Sequence, residues 1–238
     1  MKVALAVDVD PDYIDDEGKW STGQRALSFS GSRDGLRWLI EFLKEQQVRA
    51  TLFFEARTAR ILSGEIDLRS VANTHEIGCH GYEHEDLTKL RANAKSQIIV
   101  RTRRINAQLF GVEPVGWSPP YWRSDDETRR ILASQGFLYE ANAYGKRSIE
   151  RVNGLVVFRM PKQYALWRVM EGKRRVSEQV EIIEDGAIVA THSWHTEYGQ
   201  HGLIPESEKI KRRHDLRSFV EAMRELKTQF VTVREMLP

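Results

Sequence analysis

Short apolar runs alternate along this chain with longer stretches in which apolar residues recur every three or four positions. The first run, Val-Ala-Leu-Ala-Val at 3–7, is partly β-branched and predicts a buried strand that ends at Asp8 to Asp10. Residues 11–32 are polar and turn-rich. From Ser32 onward, Leu36, Leu39, Ile40 and Leu43 fall at i, i+3, i+4 and i+7, which predicts an amphipathic helix ahead of a strand over 50–56.

The alternation continues with a strand at Glu76–His80 and a long helix near 86–110 that carries Leu90, Ala94, Ile98, Ile105 and Leu109, with Gly111 as its stop. A strand near 113–118 follows. Ser124 and Glu127 have the spacing of a capping box, which opens a short helix ending at Gly136. Strands are then expected at 137–141, 155–160 and 187–194, a helix near 205–227 has Leu216, Phe219, Val220, Met223 and Leu226 on one face, and 229–233 supplies a closing strand. Roughly seven strands alternating with helices predict an α/β fold with a parallel sheet, either closed as a barrel or open and doubly wound. In both, chemistry gathers where strands end and loops begin.

Composition narrows the picture. At 238 residues, with no internal repeat or interdomain linker, the chain reads as a single domain over 1–238. Its 36 basic residues nearly balance 34 acidic ones, which points to no nucleic-acid partner, and the runs at 172–175 and 209–214 read as solvated basic faces. No apolar run approaches 18 residues, and Asp8 interrupts the opening run before it resembles a leader, so the expected setting is cytoplasmic, away from membranes. A single cysteine, Cys79, excludes an internal disulfide framework.

Asp8 and Asp10 are two apart at a strand end, so their carboxylates share one side. Asp12 extends the run, but Tyr13 and Lys19 stand where a calcium loop needs glycine and glutamate, which rejects an EF-hand. His80 and His84 follow a strand; with a helical turn there, their spacing puts both rings on one face and suits a tetrahedral ion such as zinc, whereas an isolated pair of this kind is ordinarily a surface feature. Cys79 and His75 read as packing and hydrogen-bonding residues. His192 ends a late strand and is placed for proton transfer. Trp117, Tyr121 and Trp122, in a loop stiffened by two prolines, are candidates either for a sugar or heterocycle wall or for core packing.

The order of these pieces (a strand ending in aspartates, His-Glu-Ile-Gly-Cys-His-Gly-Tyr-Glu-His at 75–84, Ser-Pro-Pro-Tyr-Trp at 118–122, and Val-Ala-Thr-His-Ser-Trp-His at 189–195) resembles the polysaccharide deacetylase family, the NodB-like carbohydrate esterases, over nearly the whole chain. The resemblance implies a deformed (β/α)7-type barrel. Val9 stands where many members place a metal-binding aspartate, so the likeness is to a divergent D-x-D branch, related to peptidoglycan deacetylase-like and cyclic-amide-hydrolysing proteins. It implies Asp8 as catalytic base, Asp10, His80 and His84 as metal ligands, and His192 as acid. Pro120, Tyr121, Trp122, Arg123 and Trp194 would border the substrate. Ser118 occupies the place of an arginine that orients the base, with Arg123 nearby, and the family's fourth motif has no counterpart that can be placed.

The implied activity is metal-dependent hydrolysis of an amide C–N bond. Zn2+ is the expected ion, with Co2+, Ni2+ or Mn2+ as alternatives, and a backbone N–H around Tyr121 would help to hold the oxyanion. The expected substrate is an N-acetylated amino sugar or glycan precursor. The alternatives are a cyclic amide or imide, or a carbohydrate-binding relative without catalysis. Homo-oligomer formation is left open.

Overall fold

The computed structural model describes residues 1–11, 29–199 and 202–238; Asp12, Tyr13, Lys19 and most of the polar segment 11–32 lie outside the described residues. In chain order the elements begin with β1 (Lys2–Val9), α1 (Ser30–Glu45), β2 (Thr51–Phe54), α2 (Ala56–Leu62), α3 (Leu68–Thr74) and β3 (Glu76–Cys79). There follow α4 (Ala92–Phe110), β4 (Gly116–Trp117), α5 (Asp126–Ser134), β5 (Tyr139–Tyr144), β6 (Ser148–Val152), β7 (Leu155–Met160), α6 (Trp167–Met170) and α7 (Val176–Glu181). The chain closes with β8 (Ala187–His192), β9 (Tyr198–Gly199), β10 (Gly202–Leu203), α8 (Glu206–Glu225) and β11 (Gln229–Val231).

The main sheet runs β8, β1, β2, β3, β4, β5 and β7, all parallel, with β6 antiparallel on the outer edge of β7. β11 pairs with Lys2–Ala4, beside the point where β2 takes over the same edge of β1. The free side of β8 meets the segment after β7 through a single bridge, Ala165 to Ala190. The sheet therefore curls into an incompletely closed barrel, the deformed (β/α)7 arrangement, and the doubly wound alternative is set aside.

β1 is covered on both faces, and Val3 through Val9 are all buried, which is why its sequence is a nearly unbroken apolar run instead of an alternation. Helix α1 lays Leu36, Leu39, Phe42 and Leu43 on the sheet. At the amino ends of the strands, Glu76 accepts hydrogen bonds from the Tyr139 hydroxyl (2.8 Å), the Thr51 hydroxyl (2.8 Å) and the Arg234 amide (3.0 Å), which latches that end shut. The opposite end is left for chemistry. No helix among the described residues is long and apolar enough to cross a membrane.

Three local expectations are corrected. The long helix starts at Ala92, because Asp86 caps a separate tight turn at Leu87–Lys89. Its inward face holds Lys95, Ile99, Thr102, Ile105, Asn106 and Phe110; Ile105 lies where expected, while Lys95, Ile99, Asn106 and Phe110 are each displaced by one position from an expected residue. Two of its polar members are paired: Lys95 with Asp125 and Glu127, and Asn106 with the Phe54 carbonyl, so hydrophobic periodicity misjudges the face. Asp125, not Ser124, caps α5, with its carboxylate accepting the Thr128 amide at 2.8 Å, while the Ser124 hydroxyl turns to Glu140.

Candidate metal centre and active site

Parallel register brings distant residues to one mouth. Asp8 lies opposite His192 across the β1–β8 ladder, and β3 ends one residue before His80, whose amide still donates to the Phe54 carbonyl. Asp8, Asp10 and His80 are almost completely buried. One oxygen, Asp10 Oδ2, lies 3.5 Å from His84 Nε2, 3.9 Å from His80 Nε2 and 3.9 Å from His192 Nε2. His80 Nδ1 is also 3.7 Å from Asp8 Oδ1, so both carboxylates face the same ring, as their spacing requires.

His80 and His84 meet without a helical turn. Gly81 takes φ +78° and His84 φ +59°, both left-handed, and Glu85 folds back to accept the amides of Tyr82 and Glu83 at 3.0 Å. Tyr121 and Trp122 are likewise left-handed, at φ 58° and 55°, so backbone strain gathers around the mouth. The Tyr121 ring stands 4.5 Å from that of His84.

The donor set fits a divalent cation. One ligand atom each from Asp10, His80 and His84 lies within 4.8 Å of the others. His80 Nδ1–H donates to the Ser118 carbonyl at 2.9 Å, which leaves the Nε2 lone pair facing inward, and that buried atom has no hydrogen-bond partner among the described residues. Burial, then Asp8, then Glu55 hold the Asp10 carboxyl well above the usual carboxylate range, which is the signature of a negative charge lacking its counter-charge. Burial lowers His192 to about 4, against the pull of Asp8.

Asp8 Oδ1 is buried without a partner among the described residues, and Asp8 Oδ2 receives the Trp122 indole N–H at 3.5 Å. Arg123 instead pairs with Asp86 at 3.2 Å and is largely exposed. The Ser118 hydroxyl accepts from Asn142 at 3.3 Å. Pro120 is buried, Tyr121, Trp122 and Trp194 are half-buried, and Trp117 is a core residue standing edge-on to Phe137. Cys79 is buried beside Asn106, and His75 accepts the Ala50 amide at 3.3 Å.

Two features escape sequence reading. Glu55 ends β2 as Asp8 ends β1; it is buried, accepts the Thr58 hydroxyl, and burial raises it to about 8. An acid closing the apolar run Thr-Leu-Phe-Phe was the available signal. The basic run at 209–214 is not merely a solvated face. Arg212 is buried and donates to the carbonyls of His195 (2.8 Å) and Tyr198 (2.9 Å), and Lys209 and Arg213 pair with buried Glu197. α8 thus clamps the turn after His192, a role that composition conceals.

α1 supports the same turn from the other side. Ser32 and Ser193 share a hydroxyl hydrogen bond of 2.7 Å, and a Cβ at Gly35 would lie 2.0 Å from the Ser193 carbonyl oxygen. Alanine in a helix interior ordinarily gains about 1 kcal/mol over glycine. Here the clash reverses the sign: Gly35→Ala is expected to destabilise by about 1–3 kcal/mol in urea unfolding. A stabilised variant would refute the close approach of helix and turn.

A family model described as polysaccharide deacetylase matches residues 26–139, which include His80, His84 and Ser118 but neither Asp8 nor the β8 turn. A peptidoglycan deacetylase of Helicobacter pylori is 26% identical over 106 residues, which make up 44% of this chain and 36% of that protein. PuuE allantoinase superposes with a TM-score of 0.73 at 18% identity, covering 99% of this chain and 88% of its own. A carbohydrate esterase family 4 pseudoenzyme from Bacillus anthracis gives 0.66 at 16%, covering 100% and 65%. At these identities the two structures report the fold alone. Just under half of this chain therefore matches the polysaccharide deacetylase family model, in the segment that holds the two histidines four residues apart, and the whole chain shares the barrel fold of these neighbours.

Proposed function

We propose that residues 1–238 form one domain that hydrolyses an amide bond with a divalent cation, Zn2+ in the first instance, held by Asp10, His80 and His84. The proposed substrate is an N-acetylated amino sugar or glycan precursor. The observation that carries this reading is the meeting of the three donors with Asp8 and His192 at one strand-end mouth.

When bound there, such an ion supplies Lewis acidity toward an amide carbonyl and acidifies a bound water. Asp8 serves as base through its bare Oδ1, and the Trp122 indole N–H steadies the other oxygen. His192, neutral at rest because burial lowers it to about 4, receives that proton from Asp8 and delivers it to the departing nitrogen. Asp8 is its neighbour across the ladder and favours the protonated ring. Tyr121, Trp122 and Trp194 offer aromatic faces to a sugar ring, with Pro120 and Arg123 at the border.

The zinc-loaded chain is expected to release acetate from N-acetylglucosamine oligomers, and chelation should stop it. Ring opening of small imides with no acetate release would reassign the substrate to cyclic amides. Sugar binding with neither reaction, across Zn2+, Co2+, Ni2+ and Mn2+, would mark a binding relative without catalysis.

A further inference from the structure

Trp194 lies two residues beyond the end of β8, and its indole N–H donates to Asp10 Oδ1 at 2.9 Å. The other oxygen, Oδ2, is the one that faces His84 and His80 at 3.5 and 3.9 Å. We propose that Trp194 is a positioning residue for the metal centre: its N–H fixes the rotation of the Asp10 carboxylate so that a single oxygen faces the two imidazoles. This rests on the metal reading above and adds a role for Trp194 beyond bordering the substrate.

A carboxylate torsion is broad and two-fold, so without an anchor either oxygen can swing toward the histidines. The indole is itself held. Its ring centroid lies 5.0 Å from His192 and 4.3 Å from His195. His195 accepts the His192 amide at 3.2 Å through Nδ1, and Arg212 grips the His195 carbonyl. Asp10 and His80 are thus both tied from the side away from the centre, one by an indole and the other by the Ser118 carbonyl. Outer partners of this kind typically change metal affinity by about 10–100-fold.

The test is a Zn2+ titration of the metal-stripped full chain by calorimetry, with thermal unfolding measured alongside. Trp194→Phe keeps a ring and loses the N–H; it is expected to weaken Zn2+ binding by about 10–100-fold. Should phenylalanine compromise folding, the benzothiophene isostere of tryptophan at 194 keeps the bicyclic shape without the N–H, and the same loss is expected. Unchanged affinity in a folded variant overturns the role of Trp194 alone. Failure of the unaltered chain to bind Zn2+ overturns the metal reading and this inference together.

Discussion

Asparagine at Asp8 is expected to slow amide hydrolysis by about 10²–10⁴-fold while leaving stoichiometric Zn2+ in place. The substitution is nearly isosteric, which matters because Asp8 is buried within β1 between β2 and β8. An amide there can still face the Trp122 indole, but it cannot take a proton from water. Metal binding should hold or tighten, since Asp8 is, after burial, one of the causes that raise the Asp10 carboxyl. Steady-state kcat and KM, together with metal content of the same preparation, give the answer. Hydrolysis within a few-fold of the unaltered chain would remove Asp8 from the role of base. Loss of metal would instead make it a ligand.

How far the sequence could be read depends on what surrounds each segment. Strands buried on both faces, such as β1, β7 and β8, are written as apolar runs and were legible at once. β6, an edge strand alternating half-buried and exposed residues, and the short helices α2, α3, α6 and α7 carry too few apolar positions to show a period. β4 was legible as a region but is confined to two residues, since its neighbours enter the loop that carries Ser118. At the site, the aspartates and histidines were legible because metal-ligand residue types at strand ends are rare. Their supports were not. Arg212 lies in a run that looks like surface, and Glu55 looks like the tail of a strand. The partner of Asp8 is an indole one residue before the arginine that sequence favoured, and a local backbone inversion at Tyr121 and Trp122 is not written in any periodicity.

Removing both imidazoles, His80→Ala with His84→Ala, is expected to abolish Zn2+ binding and hydrolysis together. Each ring supplies one nitrogen, and what remains is Asp10 alone, beside Asp8 and Glu55 in a buried place that raises its carboxyl well above its usual range. A lone carboxylate whose charged form is disfavoured by burial is a poor cation ligand, so loss of two ligands disables the third. The barrel should survive, because β3 is held to β2 and β4 through its backbone and the His80 amide keeps its bond to Phe54. The loop at 118–123 should loosen as the Ser118 carbonyl loses its imidazole donor, seen as faster amide exchange there and little change in the far-ultraviolet circular dichroism. A double variant that still holds one equivalent of zinc would place the ion elsewhere, and the proposed chemistry of Asp8 and His192 would then have no centre to act beside.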